Sequence, residues 1–189
     1  MKLILKIAGS LALLSLPTFT NSYAQTADSV KWHYAVGTAG VLAFSGVNAN
    51  ITAEAAYKRH TLYIGPKMSV ADAYLPSTAP FGFTAGYKFF INTEPGITGK
   101  FDFFVFLDYQ LEYHKAFRGN DNLPKRYNTL HELNAGYGLQ YNISDKLAVN
   151  NVLGFGRYQE VFRNPRTGTE AKFDGWNRMV RVQLLYKIR

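Results

Sequence analysis

Between positions 101 and 114, three carboxylates alternate with oily side chains. Asp102, Asp108 and Glu112 stand at even numbers, against Phe101, Phe103, Val105, Leu107, Tyr109, Leu111 and Tyr113 at odd ones. Glu54, Lys67, Lys88, Glu132 and Arg181 occupy polar positions of similarly alternating stretches. Acids and bases in near balance can pair as ions or pass protons between them. Both roles require that they be held together away from bulk water. His33, His60, His114 and His131 are further acid–base candidates, but no cluster or His/Asp spacing among them suits a metal ion. No catalytic residue, metal ligand or cofactor site is assigned from these patterns.

The elements that must position these groups are strands. Successive side chains on a strand point to opposite faces, so the 101–114 stretch has one oily face and one carrying three carboxylates. Fourteen residues is long for a strand in a water-soluble domain, and suits one tilted across a bilayer. The same alternation predicts eight strands, at 30–39, 49–58, 61–70, 81–92, 100–114, 130–143, 147–161 and 176–188. Short connections (58–61, 93–99, 144–146) alternate with longer ones (40–48, 71–80, 115–129, 162–175). An even-stranded barrel with both termini on the periplasmic side would show this pattern.

The first 24 residues read as a secretory signal. Lys2 and Lys6 precede an apolar run from Ile7 to Leu16, Pro17 breaks it, and Ser22-Tyr23-Ala24 offers a cleavage site. Residues 25–189 then form one domain, and losing two lysines takes the net charge from +8 to +6. For an exported chain this excess points to anionic headgroups or lipopolysaccharide phosphates, and nucleic acid is not expected as a partner. With no cysteine, no disulfide framework holds the chain.

A soluble barrel with an apolar cavity would show the same alternation. Three features favour the membrane form. Oily faces persist over long runs, as at Phe81, Phe83, Ala85, Tyr87, Phe89 and Ile91. Aromatic residues gather at strand ends, with Trp32, Tyr34, Tyr57, Phe89, Tyr141 and Tyr186 toward one side and Phe81, Phe83, Tyr109, Tyr113 and Trp176 toward the other. Gly82, Gly86, Gly136, Gly138, Gly154 and Gly156 share the polar face, where they make room in a narrow lumen. Pro66 predicts a bulge or an early strand end, and Asn151 either a bulge or a place near an interface.

With the oily face toward lipid, Glu54, Lys67, Lys88, Asp108, Glu112, Glu132 and Arg181 collect inside, four acids against three bases. Eight strands leave no wide pore, so these groups are expected as an ion-paired plug, with a proton or narrow ion path as the alternative. Lys115, Arg118, Lys125, Arg126, Arg163, Arg166 and Lys172 lie in the outer connections, where they would meet lipopolysaccharide phosphates.

This architecture resembles the small eight-stranded outer-membrane barrels, the class of outer membrane protein X and the membrane domain of outer membrane protein A. Trp176, Val180, Val182, Leu184, Tyr186 and Ile188 match that family's alternating terminal strand, which the barrel assembly machinery recognises. Arg189 stands where the family ends in an aromatic residue, and Gln183 where glycine is often seen. The peptidoglycan-binding domain of larger relatives is not expected.

Some barrels of this class modify lipid A. A deacylase-like site would need Ser two residues after a His, but Ala35, Leu62, Ala116 and Leu133 hold those places. A palmitoyltransferase-like site would need His, Asp and Ser at the outer rim, for which His114, His131, Asp121, Ser45 and Ser77 are the candidates. The expectation is an all-β, eight-stranded antiparallel up-and-down transmembrane β-barrel after a cleaved signal peptide. It is expected to be a non-enzymatic monomer of the bacterial outer membrane, acting through its outer loops. A lipid A-modifying enzyme and a narrow channel or small-ligand-binding barrel are the alternatives.

Overall fold

The computed structural model describes residues 32–71, 81–92, 100–115, 127–163, 167 and 169–188. The proposed signal segment lies outside them. Eight strands follow one another: β1 (His33–Ala43), β2 (Gly46–Tyr57), β3 (His60–Ala71), β4 (Phe81–Phe90), β5 (Phe101–Lys115), β6 (Tyr127–Asn142), β7 (Leu147–Arg163) and β8 (Glu170–Ile188). Each pairs antiparallel with the next, and β8 pairs with β1, so the sheet closes without a free edge along the barrel wall.

The register fixes the width. Following ladder partners from Leu42 through Val180, Leu153, Tyr137, Val105, Phe89 and His60 leads to Tyr57, one rung past the Ala56–His33 pair. That rung faces Trp32, so one circuit returns to β1 ten residues below Leu42. Eight strands with that stagger tilt by roughly 40°, and the interior is just wide enough for side chains to fill it.

The segment 40–48, expected as a long loop, is instead a hairpin in which only Phe44 and Ser45 lie outside the strands. Gly46, at φ 109°, takes the backbone turn that an L side chain resists. Three other strands run further than their alternation predicts. β6 starts at Tyr127, β7 reaches Arg163 and β8 starts at Glu170, because pairing continues from Arg157–Trp176 out to Arg163–Glu170. Phe162 and Phe173 meet edge-on in that extension. The β5–β8 side therefore stands taller than the side carrying the β1–β2 hairpin.

No bulge forms at Pro66. β3 runs through it, paired with Phe83 of β4, and only the β2 ladder is interrupted, between Asn50–Lys67 and Ala53–Ile64. The register shift lies instead at Val47/Asn48. β7 keeps an unbroken register through Asn151, which faces outward between Leu139 and Val182.

Oily and polar faces sort as the alternation requires. Ile51, Leu62, Ile64, Phe103, Val105, Tyr137, Leu153, Val182 and Leu184 are exposed on the outside, whereas Glu54, Lys67, Lys88, Asp108, Glu132, Asn134 and Arg181 are buried inside. This is the reverse of a water-soluble fold. Among the described residues no helix is long and apolar enough to cross a membrane.

Candidate functional site

The lumen brings all seven predicted charges together, in three stacked groups. In the first, Lys88 of β4 donates to both carboxylate oxygens of Glu54 on β2, at 2.7 and 2.9 Å. Gln183 of β8 donates to Glu54 at 2.8 Å and to Thr52 at 2.8 Å, and accepts from Lys88 at 3.3 Å. The second is centred on Asp108 of β5. Its Oδ2 accepts from Arg181 Nη1 at 2.8 Å, from the Tyr63 hydroxyl at 2.5 Å and from Thr84 at 3.2 Å, while Gln110 donates to Oδ1 at 2.7 Å. In the third, Lys67 sits between two carboxylates, in contact with Glu112 and 3.5 Å from Glu132. The fourth acid, expected in excess of three bases, is thus placed here.

Aromatic faces hold the cations from the other side. Lys88 lies over the rings of Tyr63 (5.2 Å) and Phe104 (5.6 Å), and Arg181 over Tyr63 (4.9 Å) and Phe106 (5.7 Å). Phe104 and Phe106 stand at even positions of β5 and so point inward, where they pack with Val41, Phe90, Val152 and Met179. The lumen glycines explain how such rings fit. A methyl group at Gly86 would strike the Tyr63 ring, one at Gly138 the Phe104 ring, and one at Gly154 the Phe106 ring.

Both mouths are occupied. At the end bearing the termini, Asn142 donates to Asp102 at 2.7 Å and accepts from Lys187 at 2.8 Å. At the other, the β1–β2 turn folds inward. Phe44 stacks on Tyr158 with ring centres 3.7 Å apart, its amide donates to Asn177 at 2.8 Å, and the Ser45 amide donates to Glu132 at 3.3 Å. The sequence sets Asp102 on the polar face without counting it among the seven interior charges, and Tyr63, Phe44, Tyr158 and Lys187 are not expected inside. For Asp102 and Lys187 the parity of β5 and β8 was a sufficient signal.

The candidates for catalysis do not converge among the described residues. Ser45 is buried in the lumen mouth, whereas His131 faces outward against Tyr109, whose hydroxyl lies 2.8 Å from its Nδ1. The barrel wall separates them. His60 is at the β2–β3 turn beside Tyr87, and His33 is exposed at the start of β1. Ser77 and Asp121 lie outside the described residues, and of the His114 side chain nothing is described. No metal-binding group of three His, Cys, Asp or Glu residues occurs among the described residues.

Of the outer basic residues, Lys172 is exposed on β8. Lys115 and Arg163 end β5 and β7. Arg118, Lys125, Arg126 and Arg166 lie outside the described residues.

A closed eight-stranded barrel, oily outside and ion-paired inside, has the fold of the small outer-membrane barrels. Among solved structures it is similar to the N-terminal β-barrel domain of Pseudomonas aeruginosa OprF, with a TM-score of 0.54 and 11% identity over 82% of this chain and 97% of that domain. Neisserial surface protein A (NspA) aligns at TM-score 0.48 and 12% identity, over 83% of this chain and 97% of that one. A major outer membrane protein of Thermus thermophilus aligns at TM-score 0.45 and 13% identity, over 84% and 100%. No protein-family profile matches the chain, and no curated protein matches it in sequence.

Proposed function

We propose that this chain is a non-enzymatic barrel of the bacterial outer membrane, serving envelope integrity or surface interaction through its outer connections. The observation that carries the reading is the packed interior. Every predicted lumen charge has a partner, rings fill the space between charged groups, and the turn at Phe44 covers one mouth. Paired buried charges packed between rings rigidify a barrel and leave little room for a substrate.

Lys115, Arg118, Lys125, Arg126, Arg163, Arg166 and Lys172 would contact lipopolysaccharide phosphates at the surface. The barrel assembly machinery would insert the chain, which would act as a monomer. The test is refolding of the mature chain in detergent, with circular dichroism and gel mobility before and after boiling, then lipid A turnover and planar-bilayer conductance. A sheet-rich, heat-modifiable protein without turnover or steady conductance is expected. Turnover of lipid A, or a stable open channel, would overturn the reading.

A further inference from the structure

Two arginines stand on the oily outer face. Arg157 of β7 pairs in register with Trp176 of β8, and Arg178 of β8 with Phe155 of β7, so the two guanidinium groups are diagonal neighbours on one side of the wall. Around them the surface is apolar: Phe155 and Trp176 are exposed, the latter at 79%, with Leu153 and Val180 one rung below.

The register gives their height. Trp176 is ten residues along β8 from Tyr186, whose ring belongs to the aromatic set at the other end. At about 3.3 Å per residue and a tilt near 40–45°, that separation is roughly 24 Å, the height of the apolar band of such barrels. Arg157 and Trp176 therefore mark the outer interface, and Arg178 lies just below it. Its long side chain can reach up to that level.

A cation on this face is costly unless an anion meets it. Asp174 supplies one for Arg157, accepting from Nη2 at 2.6 Å, and the guanidinium also lies 5.6 Å from the Trp176 ring. Arg178 has no hydrogen bond or ion pair with any described residue. Lys172 lies further out on the same strand, exposed and two positions from Asp174.

We infer that the outer face of β7–β8 is a seat for a lipid-borne phosphate, held between Arg178 and Arg157 with the lipid chains along Phe155, Leu153 and Val180. The occupant fitting charge, height and apolar surroundings is a phosphorylated glycolipid of the outer leaflet. Arginine's fork can take two phosphate oxygens, and the apolar rungs below suit acyl chains. This inference rests on the membrane placement of the barrel, and not on contacts made by its loops.

The test is native mass spectrometry of the full mature chain in neutral detergent, offered equal amounts of lipid A and its dephosphorylated counterpart. Wild type should retain lipid A preferentially, as a one-to-one adduct. R157Q/R178Q should reduce that preference about ten-fold, and D174N should strengthen it. R59Q, at the opposite end, should leave it unchanged. Heat-modifiability checks that each variant is folded. The same measurement in millimolar inorganic phosphate separates the sources. A preference that survives supports a lipid seat, and one abolished by free phosphate overturns the lipid assignment. Equal retention of both lipids by wild type, or an undiminished preference in the folded double variant, would overturn the site altogether.

Discussion

Replacing Lys88 with methionine should destabilise the barrel more than its mild change in volume suggests. The ammonium has no solvent exposure and bonds both oxygens of Glu54, at 2.7 and 2.9 Å. After substitution the Glu54 carboxylate keeps one short side-chain donor, Gln183 Nε2 at 2.8 Å. Removing one partner of a buried ion pair costs about 3–5 kcal/mol. With a urea dependence of about 2 kcal/mol per molar, the unfolding midpoint in lipid vesicles should fall by about 2 M.

The reciprocal change, E54Q, should cost less. It leaves Lys88 over the faces of Tyr63 and Phe104, and each such contact offsets about 0.5–2 kcal/mol. In E54Q/K88M no uncompensated charge remains, so most of the loss should return. Tryptophan fluorescence followed through a urea titration measures all three variants. An unchanged midpoint in K88M, or a double variant no more stable than K88M, would refute the claim that this pair is dry and mutually dependent.

Other consequences follow from the same geometry. G86A should place a methyl group against the Tyr63 ring, disturb its bond to Asp108 and cost about 1–3 kcal/mol in the same titration. F44A should remove the stack on Tyr158 and lower stability by about 1 kcal/mol. L107R should cost about 2–4 kcal/mol, because Leu107 faces outward from the middle of β5, whereas W176R at the rim should cost about 1 kcal/mol or less. Equal costs at Leu107 and Trp176 would mean that no lipid-depth gradient exists.

The strand count was legible because two faces of unlike chemistry alternate over many residues, as in β5. The two faces are legible for the same reason, since Asp108 and Glu112 share a parity that Val105, Leu107 and Tyr109 do not. Which face is inside rests on the long oily runs, the aromatic strand ends and the glycines of the polar face. Phe104 and Phe106 were harder, since parity sends them inward while their chemistry suits lipid. Gly138, paired with Phe104 on the neighbouring strand, and Gly154, one strand further along and against Phe106, resolve the conflict by yielding the space. The β1–β2 hairpin is not legible as a tight turn because Phe44-Ser45-Gly46 lacks the Asn-Gly or Asp-Gly signature of such hairpins.

Which acid meets which base was not legible. Arg181 and Asp108 are 73 residues apart and meet only because of the barrel's stagger, a property of closure rather than of any one strand. Strand parity alone marks Arg157 and Arg178 as outward, on the oily face.

The central claim is that the oily face of each strand meets lipid while the polar face is sealed inside. The chain has no cysteine, so single cysteines along β5 report cleanly on each position. Residues 103–110, replaced one at a time in protein reconstituted into vesicles, would carry a fluorophore tested against a lipid-phase quencher and an aqueous one. Strong lipid-phase quenching at 103, 105, 107 and 109, with little at the even positions and little aqueous quenching at either, is the expected result. Aqueous quenching of the odd positions, in a chain that folds without detergent, would contradict the claim and describe a barrel built for water.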